Sequence, residues 1–142
     1  VQDRVVCLRA LAQLTSDLGD RSRTTNTLDK LVEANCSPRE VCVDNLAFAA
    51  STELVRQNVR HALHYLRRAC ELSPERNDLQ KQRAEIAASL GLHGEAQEAY
   101  DALSHNQPNN REWQSKSQAE AALARSGALG NHLLQINDAG AP

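Results

Sequence analysis

Residues 61–74 read HALHYLRRACELSP, and residues 95–108 read EAQEAYDALSHNQP. The two stretches align at an offset of 34 residues, and each carries three small or apolar positions followed by a proline. The first three positions are spaced four and three residues apart, so they share one face of a helix, and the proline ends that helix. The sequence therefore repeats a helix and its stop at a fixed period. The aligned residues are Ala62, Leu66, Ala69 and Pro74 in the first stretch, and Ala96, Tyr100, Leu103 and Pro108 in the second.

A partner helix precedes each of these two stretches. We expect the partner helices over residues 44–57 and 77–90. Residues 90–94 should form the turn of the second pair, because glycine at 91 tolerates the positive φ that is common at a helix C-terminus. Each repeat then consists of a helix, a turn, a second helix and a stop. Because the apolar residues are mostly Ala, Leu and Val and aromatics make up only 3%, we expect an all-α protein.

Similar patterns extend towards both ends of the chain. Towards the N-terminus, one apolar stripe predicts a first helix that ends near Gly19 and packs against a second helix ended by Pro38. Towards the C-terminus, residues 112–125 predict another first helix with its stop at Gly127, and residues 129–136 predict a shortened last helix. The N-terminal stripe consists of Val5, Leu8, Leu11, Leu14 and Leu18, and its partner carries Leu28, Leu31, Val32 and Ala34.

The two stretches resemble the second half of a tetratricopeptide repeat. GLHGEAQEAYDALSHNQPNN, residues 91–110, has the family's small residue at Ala96, its aromatic at Tyr100 and its proline at Pro108. The resemblance implies an all-α fold, a right-handed superhelix or solenoid of three to four antiparallel helical hairpins. The expected repeats, within one domain, cover about residues 5–40, 43–76, 77–110 and 111–136. Since the chain has no methionine and opens on Val1, we expect it to be a segment of a longer protein.

The resemblance also implies a concave groove, lined by the first helix of each hairpin, that receives a peptide or a helix of a partner protein. Phe48 is the one apolar anchor predicted there, although packing of its ring in the core is an equal alternative. Partner binding is predicted for first-helix positions that point away from the second helix. These are Asp44, Phe48, Ser51, Asp78, Lys81, Gln82, Glu85 and Lys116.

One branch of the family holds the C-terminal carboxylate of a chaperone tail with a set of lysine, asparagine and arginine side chains. Neither register of this sequence supplies the cations that such a carboxylate needs. The sequence therefore predicts that the partner is not a chaperone tail held in this way. The corresponding residues are Ala47, Ser51, Gln82, Glu112 and Lys116 in one register, and Ala12, Ser16, Phe48, Asp78 and Gln82 in the other.

The balance of charge and the hydropathy of the sequence bear on whether the partner is a nucleic acid or a membrane. The 16 Lys and Arg residues are balanced by 18 Asp and Glu residues, giving a formal net charge of -2. Because a nucleic acid partner needs an excess of positive charge, we expect no nucleic acid. No run approaches the roughly 18 apolar residues that a membrane span requires, so we expect no membrane partner.

Cysteine and histidine positions do not predict catalysis or metal binding. Because the chain is long and helical and lacks a C-x-x-C pair, its four cysteines are expected to be reduced thiols, buried as small hydrophobic groups in a cytoplasmic or nuclear protein. Cys36 and Cys42 with His61 could form a nucleophile and base, but no nucleophile motif or oxyanion loop accompanies them. His61 and His64 share a helix face without further ligands, so no metal and no cofactor are predicted.

The sequence thus favours a protein–protein interaction module or assembly scaffold and not an enzyme. The alternative is a helical regulatory or accessory segment of a larger enzyme whose catalytic domain lies outside this chain. Trp113 is the only tryptophan. Tryptophan is common at binding hot spots, but its place at the start of a helix favours core packing here.

Overall fold

The computed structural model describes the backbone of residues 2–34 and 37–140 and the side chains of residues 4–33 and 37–127. Within these ranges the chain forms seven helices and no strand, which confirms the predicted all-α class. The helices are α1 (Gln2–Asp17), α2 (Arg21–Ala34), α3 (Arg39–Val55), α4 (Val59–Leu72), α5 (Asn77–Ser89), α6 (His93–Asn106) and α7 (Arg111–Gly140).

The chain divides into two compact units, an N-terminal unit over Val1–Leu79 and a C-terminal unit over Gln80–Pro142. In the N-terminal unit, α1 packs against α2 and α3 packs against α4. In the C-terminal unit, α6 packs against α7. In the N-terminal unit, sequential neighbours joined by short turns thus form helical hairpins, as the repeated helix–turn–helix pattern predicts.

The second helices bury the faces that the sequence analysis predicts. In α4, Ala62, Leu66 and Ala69 are fully buried, and in α2 Leu28 and Leu31 are fully buried as well. Ala96 and Leu103 occupy the same positions in α6, and neither is more than 1% exposed. Small residues at these positions let neighbouring helices approach closely, so the 34-residue pattern identifies the core.

Three helix ends close with the same local geometry. Gly91 has a φ of +76°, its N–H bonds to the carbonyl of Ala88, and the N–H of Leu92 bonds to the carbonyl of Ala87. This pair of bonds, with a left-handed residue between them, is the Schellman arrangement. It recurs at Gly19 and, with a non-glycine residue at positive φ, at Gln57. The turn predicted near Gly19 is therefore confirmed, and the turn predicted over residues 90–94 is confirmed for residues 90–92, because α6 begins at His93.

A buried carboxylate connects α2, α3 and the following turn in the N-terminal unit. Glu53 is fully buried and accepts hydrogen bonds from the Arg56 guanidinium and from Asn58 Nδ2. The hydroxyl of Thr25 on α2 donates to the same carboxylate at 3.3 Å. Arg56 is itself only 8% exposed, so each charge depends on the other for compensation.

A second buried polar contact joins α2 and α4. Tyr65 is 1% exposed, and its hydroxyl donates a hydrogen bond to Asp29. Burial, and then the hydrogen bond to Asp29, raises the pKa of the Tyr65 hydroxyl well above its usual range. The phenol therefore stays neutral and fixes the spacing of the two second helices.

The predicted apolar face of α1 is wrong for its C-terminal half. Ala12 and Thr15 are buried in the N-terminal unit. In contrast, Leu11, Leu14 and Leu18 are 47%, 56% and 75% exposed. Apolar residues repeated every three positions drift around a helix whose period is 3.6, so the stripe turns away from the packed face.

The predicted stop at Gly127 is also wrong. α7 runs without interruption from Arg111 to Gly140, so residues 129–136 continue this helix and do not form a separate one. A single glycine costs a helix only about 1 kcal/mol relative to alanine, and the alanine-rich and leucine-rich flanks favour continuation. Gly127 does not adopt the positive φ of a C-terminal cap.

The core position of Ala96 gives a direct test of the repeat register. We expect Ala96→Leu to lower the free energy of unfolding by about 1–3 kcal/mol, because no space is available for the larger side chain at a fully buried site. Ala122→Leu makes the same change at an exposed position of α7 and should leave stability within about 0.5 kcal/mol of the parent chain. Thermal denaturation of both variants decides the register, and equal melting temperatures would contradict it.

Candidate protein-interaction surfaces

Phe48 and Ser51, two of the predicted groove residues, line one shallow pocket in the N-terminal unit. The pocket has a volume of about 190 Å³ and lies between α1 and α3. Phe48 is half-buried and Ser51 is exposed, so the Phe48 ring is neither fully in the core nor fully free. The rest of the lining comes from Gln13, Ser16, Thr52 and Val55. Val55 is 82% exposed, which leaves an apolar edge open beside the pocket.

A guanidinium group that the sequence analysis missed covers the Phe48 ring. Arg9 on α1 places Cζ 5.0 Å from the ring centroid, within cation–π range. Its Nη2 donates a 2.6 Å hydrogen bond to Oδ1 of Asn45, a fully buried residue of α3. Arg9 and Asn45 lie 36 residues apart, so no local pattern could have paired them. Together α1 and α3 form a polar and aromatic cleft, which we call the Arg9 cleft, consisting of Arg9, Asn45, Phe48 and the pocket beside them.

Asp44 and Asp78, also predicted to line the groove, bind the same cation. Arg76 Nη2 lies 2.9 Å from Asp78 Oδ2, and Arg76 Nη1 lies 3.8 Å from Asp44 Oδ1. The hydrogen bond from Arg76 holds the pKa of the Asp78 carboxyl below its usual range. Arg76 was not among the predicted groove residues, yet its guanidinium partly neutralises both acidic side chains.

Lys81, Gln82 and Glu85 are exposed on α5, in the C-terminal unit. Lys81 and Glu85 are four residues apart, so they occupy the same face of the helix. Arg83, between them in sequence, faces another way and pairs with Glu95 and Glu98 on α6, each at 3.3 Å. The α5 surface therefore offers one cation and one anion that are open to a partner.

Lys116, the last predicted groove residue, makes several contacts within the C-terminal unit. Its Nζ lies 3.1 Å from Glu112 Oε1 and above the rings of Trp113 and Tyr100, 5.4 Å and 5.8 Å from their centroids. The hydrogen bond to Glu112 raises the pKa of the Lys116 ammonium. The Lys116 ammonium is thus already engaged by side chains of the C-terminal unit, which leaves it less available to a partner.

Trp113 packs in the core, as its position at the start of a helix predicts. It is 7% exposed, and its ring stacks on Tyr100 with centroids 6.1 Å apart. The indole Nε1 donates a 2.7 Å hydrogen bond to Gln107 Oε1. Since both the ring and its N–H are satisfied inside the unit, Trp113 is not a free hot spot.

The cysteines differ from the prediction of four buried reduced thiols. Cys42 is disulfide-bonded, and Cys7 is exposed as a free thiol. Cys70 is buried and is not in a disulfide, as expected, and Cys36 lies outside the described residues. Because a disulfide sulfur cannot act as a thiolate nucleophile, the arrangement of Cys42 with His61 has no catalytic use in this state. The argument from reduced thiols to a cytoplasmic or nuclear location also loses its basis.

The histidines of α4 belong to an aromatic and acidic cluster. His61 Nε2 lies 3.7 Å from Asp29 Oδ1, and the ring packs edge-on against Tyr65 at 5.3 Å between centroids. His64 is exposed beside them. Within the described side chains, no group of three His, Cys, Asp or Glu residues is arranged to hold a metal ion. No helix in the described part of the chain is long and apolar enough to cross a bilayer.

The hairpins of the two units define the class of protein, an all-α helical-repeat fold. Among solved structures, a crystal structure of MamA matches with a TM-score of 0.54 at 17% identity, covering 90% of this chain and 80% of that one. Another MamA crystal structure matches with a TM-score of 0.42 at 13% identity, covering 88% and 90%. No family model and no curated protein sequence matches the chain. At this identity, the likeness to the first MamA structure shows the fold alone.

Proposed function

We propose that this chain is a tetratricopeptide-like interaction module that holds a peptide or helix of another protein on its first helices. The observation that carries this proposal is the pocket beside Phe48, which combines a half-buried aromatic ring, an exposed serine and an open apolar edge between two first helices, α1 and α3. Concave sites with an apolar anchor and a few polar groups are typical of peptide recognition. The fold likeness to MamA supports the repeat architecture on which such a site depends.

We assign the repeats to about residues 5–40, 43–76 and 77–110, with α7 as a single helix that follows them. The remaining predicted groove positions lie on α3, α5 and α7. A noncatalytic role agrees with the side-chain chemistry of these positions, which are mostly charged or amide groups on helix surfaces without a nucleophile–base pair. We do not extend the proposal to a cytoplasmic location, because the disulfide at Cys42 is typical of oxidising compartments.

The charge pair of α5 tests the proposal. The double reversal Lys81→Glu and Glu85→Lys should weaken binding of a captured partner by about 2- to 30-fold, because each of the two exposed charges contributes about 0.2–1 kcal/mol. The parent affinity is expected in the micromolar range and should fall as salt screens these contacts. Isothermal titration calorimetry with a partner identified by affinity purification and mass spectrometry measures both effects.

The matched control is the double reversal Arg60→Glu and Glu71→Lys on the second helix α4, where both side chains are exposed. It should leave the affinity unchanged. If the α4 variant loses binding and the α5 variant does not, the partner binds second helices and the groove proposal is wrong.

A further inference from the structure

We infer that the Arg9 cleft binds an acidic side chain of an extended partner peptide, with an apolar side chain of the same peptide in the adjacent pocket. This inference rests on the proposed function and specifies the chemistry of the partner at the Arg9 cleft.

The first observation is the charge of Arg9. Among the described side chains, no carboxylate lies within 4.0 Å of its guanidinium, although Arg9 is half-buried. Its contacts are instead the neutral amide of Asn45 and the face of Phe48. A guanidinium partly removed from water normally has an anion beside it, because desolvation of the charge is costly. In the unbound chain, the Arg9 guanidinium therefore carries a positive charge with none of the described carboxylates beside it. It lies over Phe48, which lines the apolar pocket.

The second observation is a set of unused hydrogen-bond donors. Arg9 Nε and Asn45 Nδ2 are both buried and make no hydrogen bond in the structure. The guanidinium has five N–H donors. Nη2 donates to Asn45 and Nε is buried, so a partner reaches Arg9 through the exposed part of its guanidinium, while Phe48 supports the face of the group. One carboxylate placed there accepts charge-assisted hydrogen bonds and supplies the missing negative charge.

The third observation is the spacing between the cation and the pocket. Gln13 and Ser16, which line the pocket, follow Arg9 by four and seven residues on α1, a rise of roughly 6–10 Å along the helix. An extended peptide advances roughly 3.3 Å per residue. An apolar side chain two or three residues from the acidic one would therefore reach the pocket beside Phe48 and Val55.

Synthetic peptides with acetylated and amidated ends test the inference by fluorescence anisotropy. The set carries one Glu and one Leu, at separations of one to five residues, in a Gly/Ser background with an N-terminal fluorophore. We expect the tightest binding at a separation of two or three residues. Replacing the peptide's Glu with Gln should weaken binding at least tenfold on the unmodified protein, so this test does not depend on a variant that folds.

On the protein side, Arg9→Gln should produce a similar loss, whereas Arg4→Gln, an exposed arginine on the same helix, should have no effect. Equal binding of the Glu and Gln peptides, or equal binding by the parent chain and a folded Arg9→Gln variant, would overturn the inference. Tighter binding of a peptide whose only carboxylate is its free C-terminus would also overturn it.

These outcomes are separable from failure of the proposed function. If no peptide of the set binds but a captured partner protein binds and responds to the α5 charge reversal, the Arg9 cleft assignment is wrong and the interaction module stands. If the peptides bind through Arg9 and the α5 reversal has no effect on any partner, the assignment of the Arg9 cleft stands and α5 does not take part in binding.

Discussion

Glu53→Ala is expected to lower the free energy of unfolding by about 3–5 kcal/mol, the cost of removing one partner from a buried ion pair. The carboxylate is fully buried and accepts hydrogen bonds from Arg56, Asn58 and Thr25. Without it, the Arg56 guanidinium remains buried with no anion, and the turn between α3 and α4 loses the acceptor that joins it to α3. Urea denaturation followed by circular dichroism at 222 nm measures the change.

Two further variants separate the ion pair from a general loss of a carboxylate. Glu71→Ala removes an exposed carboxylate from α4 and should change stability by no more than about 0.5 kcal/mol. The double variant Glu53→Ala with Arg56→Ala should be more stable than Glu53→Ala alone, because it removes the uncompensated charge. If the double variant is less stable than the single one, packing of Arg56 and not its charge dominates this site.

Trp113→Ala should also cost about 3–5 kcal/mol, since it removes a large buried aromatic side chain from the C-terminal unit. The ring stacks on Tyr100, supports the Lys116 ammonium on its face and donates a hydrogen bond to Gln107. Trp113→Phe should cost less, because it keeps an aromatic face for Tyr100 and loses only part of the area and the hydrogen bond. Since Trp113 is the only tryptophan, unfolding must be monitored by circular dichroism.

Leu123→Ala provides the comparison on the same helix, because Leu123 is 48% exposed and its truncation leaves little cavity. A cost for Trp113→Ala no larger than that for Leu123→Ala would show that the ring does not belong to the core. In that case Trp113 would become a candidate hot spot for partner binding.

Helix positions were largely predictable because helix formation and termination depend on nearby residues. The apolar spacing from Ala62 to Ala69 and from Ala96 to Leu103 selects the buried faces of α4 and α6, and Gly91 supplies the backbone geometry of a Schellman turn. Where local signals were weak, the prediction failed. A lone glycine at 127 could not outweigh its helix-forming neighbours, so α7 continues through it.

The candidate site was predictable only in part. The resemblance to the repeat family placed Phe48 and Ser51 on a first helix, and the structure shows that both line one pocket. It did not indicate Arg9 or Asn45, because the two residues meet only when α1 packs beside α3. The sequence around one arginine, in a chain whose charges nearly balance, does not predict whether a carboxylate will lie beside that arginine in the folded protein.

The sequence by itself therefore determined the all-α class, the repeated hairpin and the buried faces of the second helices, since periodicity, proline and glycine act within one or two helical turns. Only the tertiary structure decided that the C-terminal half of the α1 stripe faces solvent, that Arg76 binds both Asp44 and Asp78, and that Arg9 lies over Phe48 with none of the described carboxylates beside it. These outcomes depend on which helices become neighbours. Contacts between residues some 30 positions apart are set by packing of the whole unit, and one sequence pattern cannot specify them.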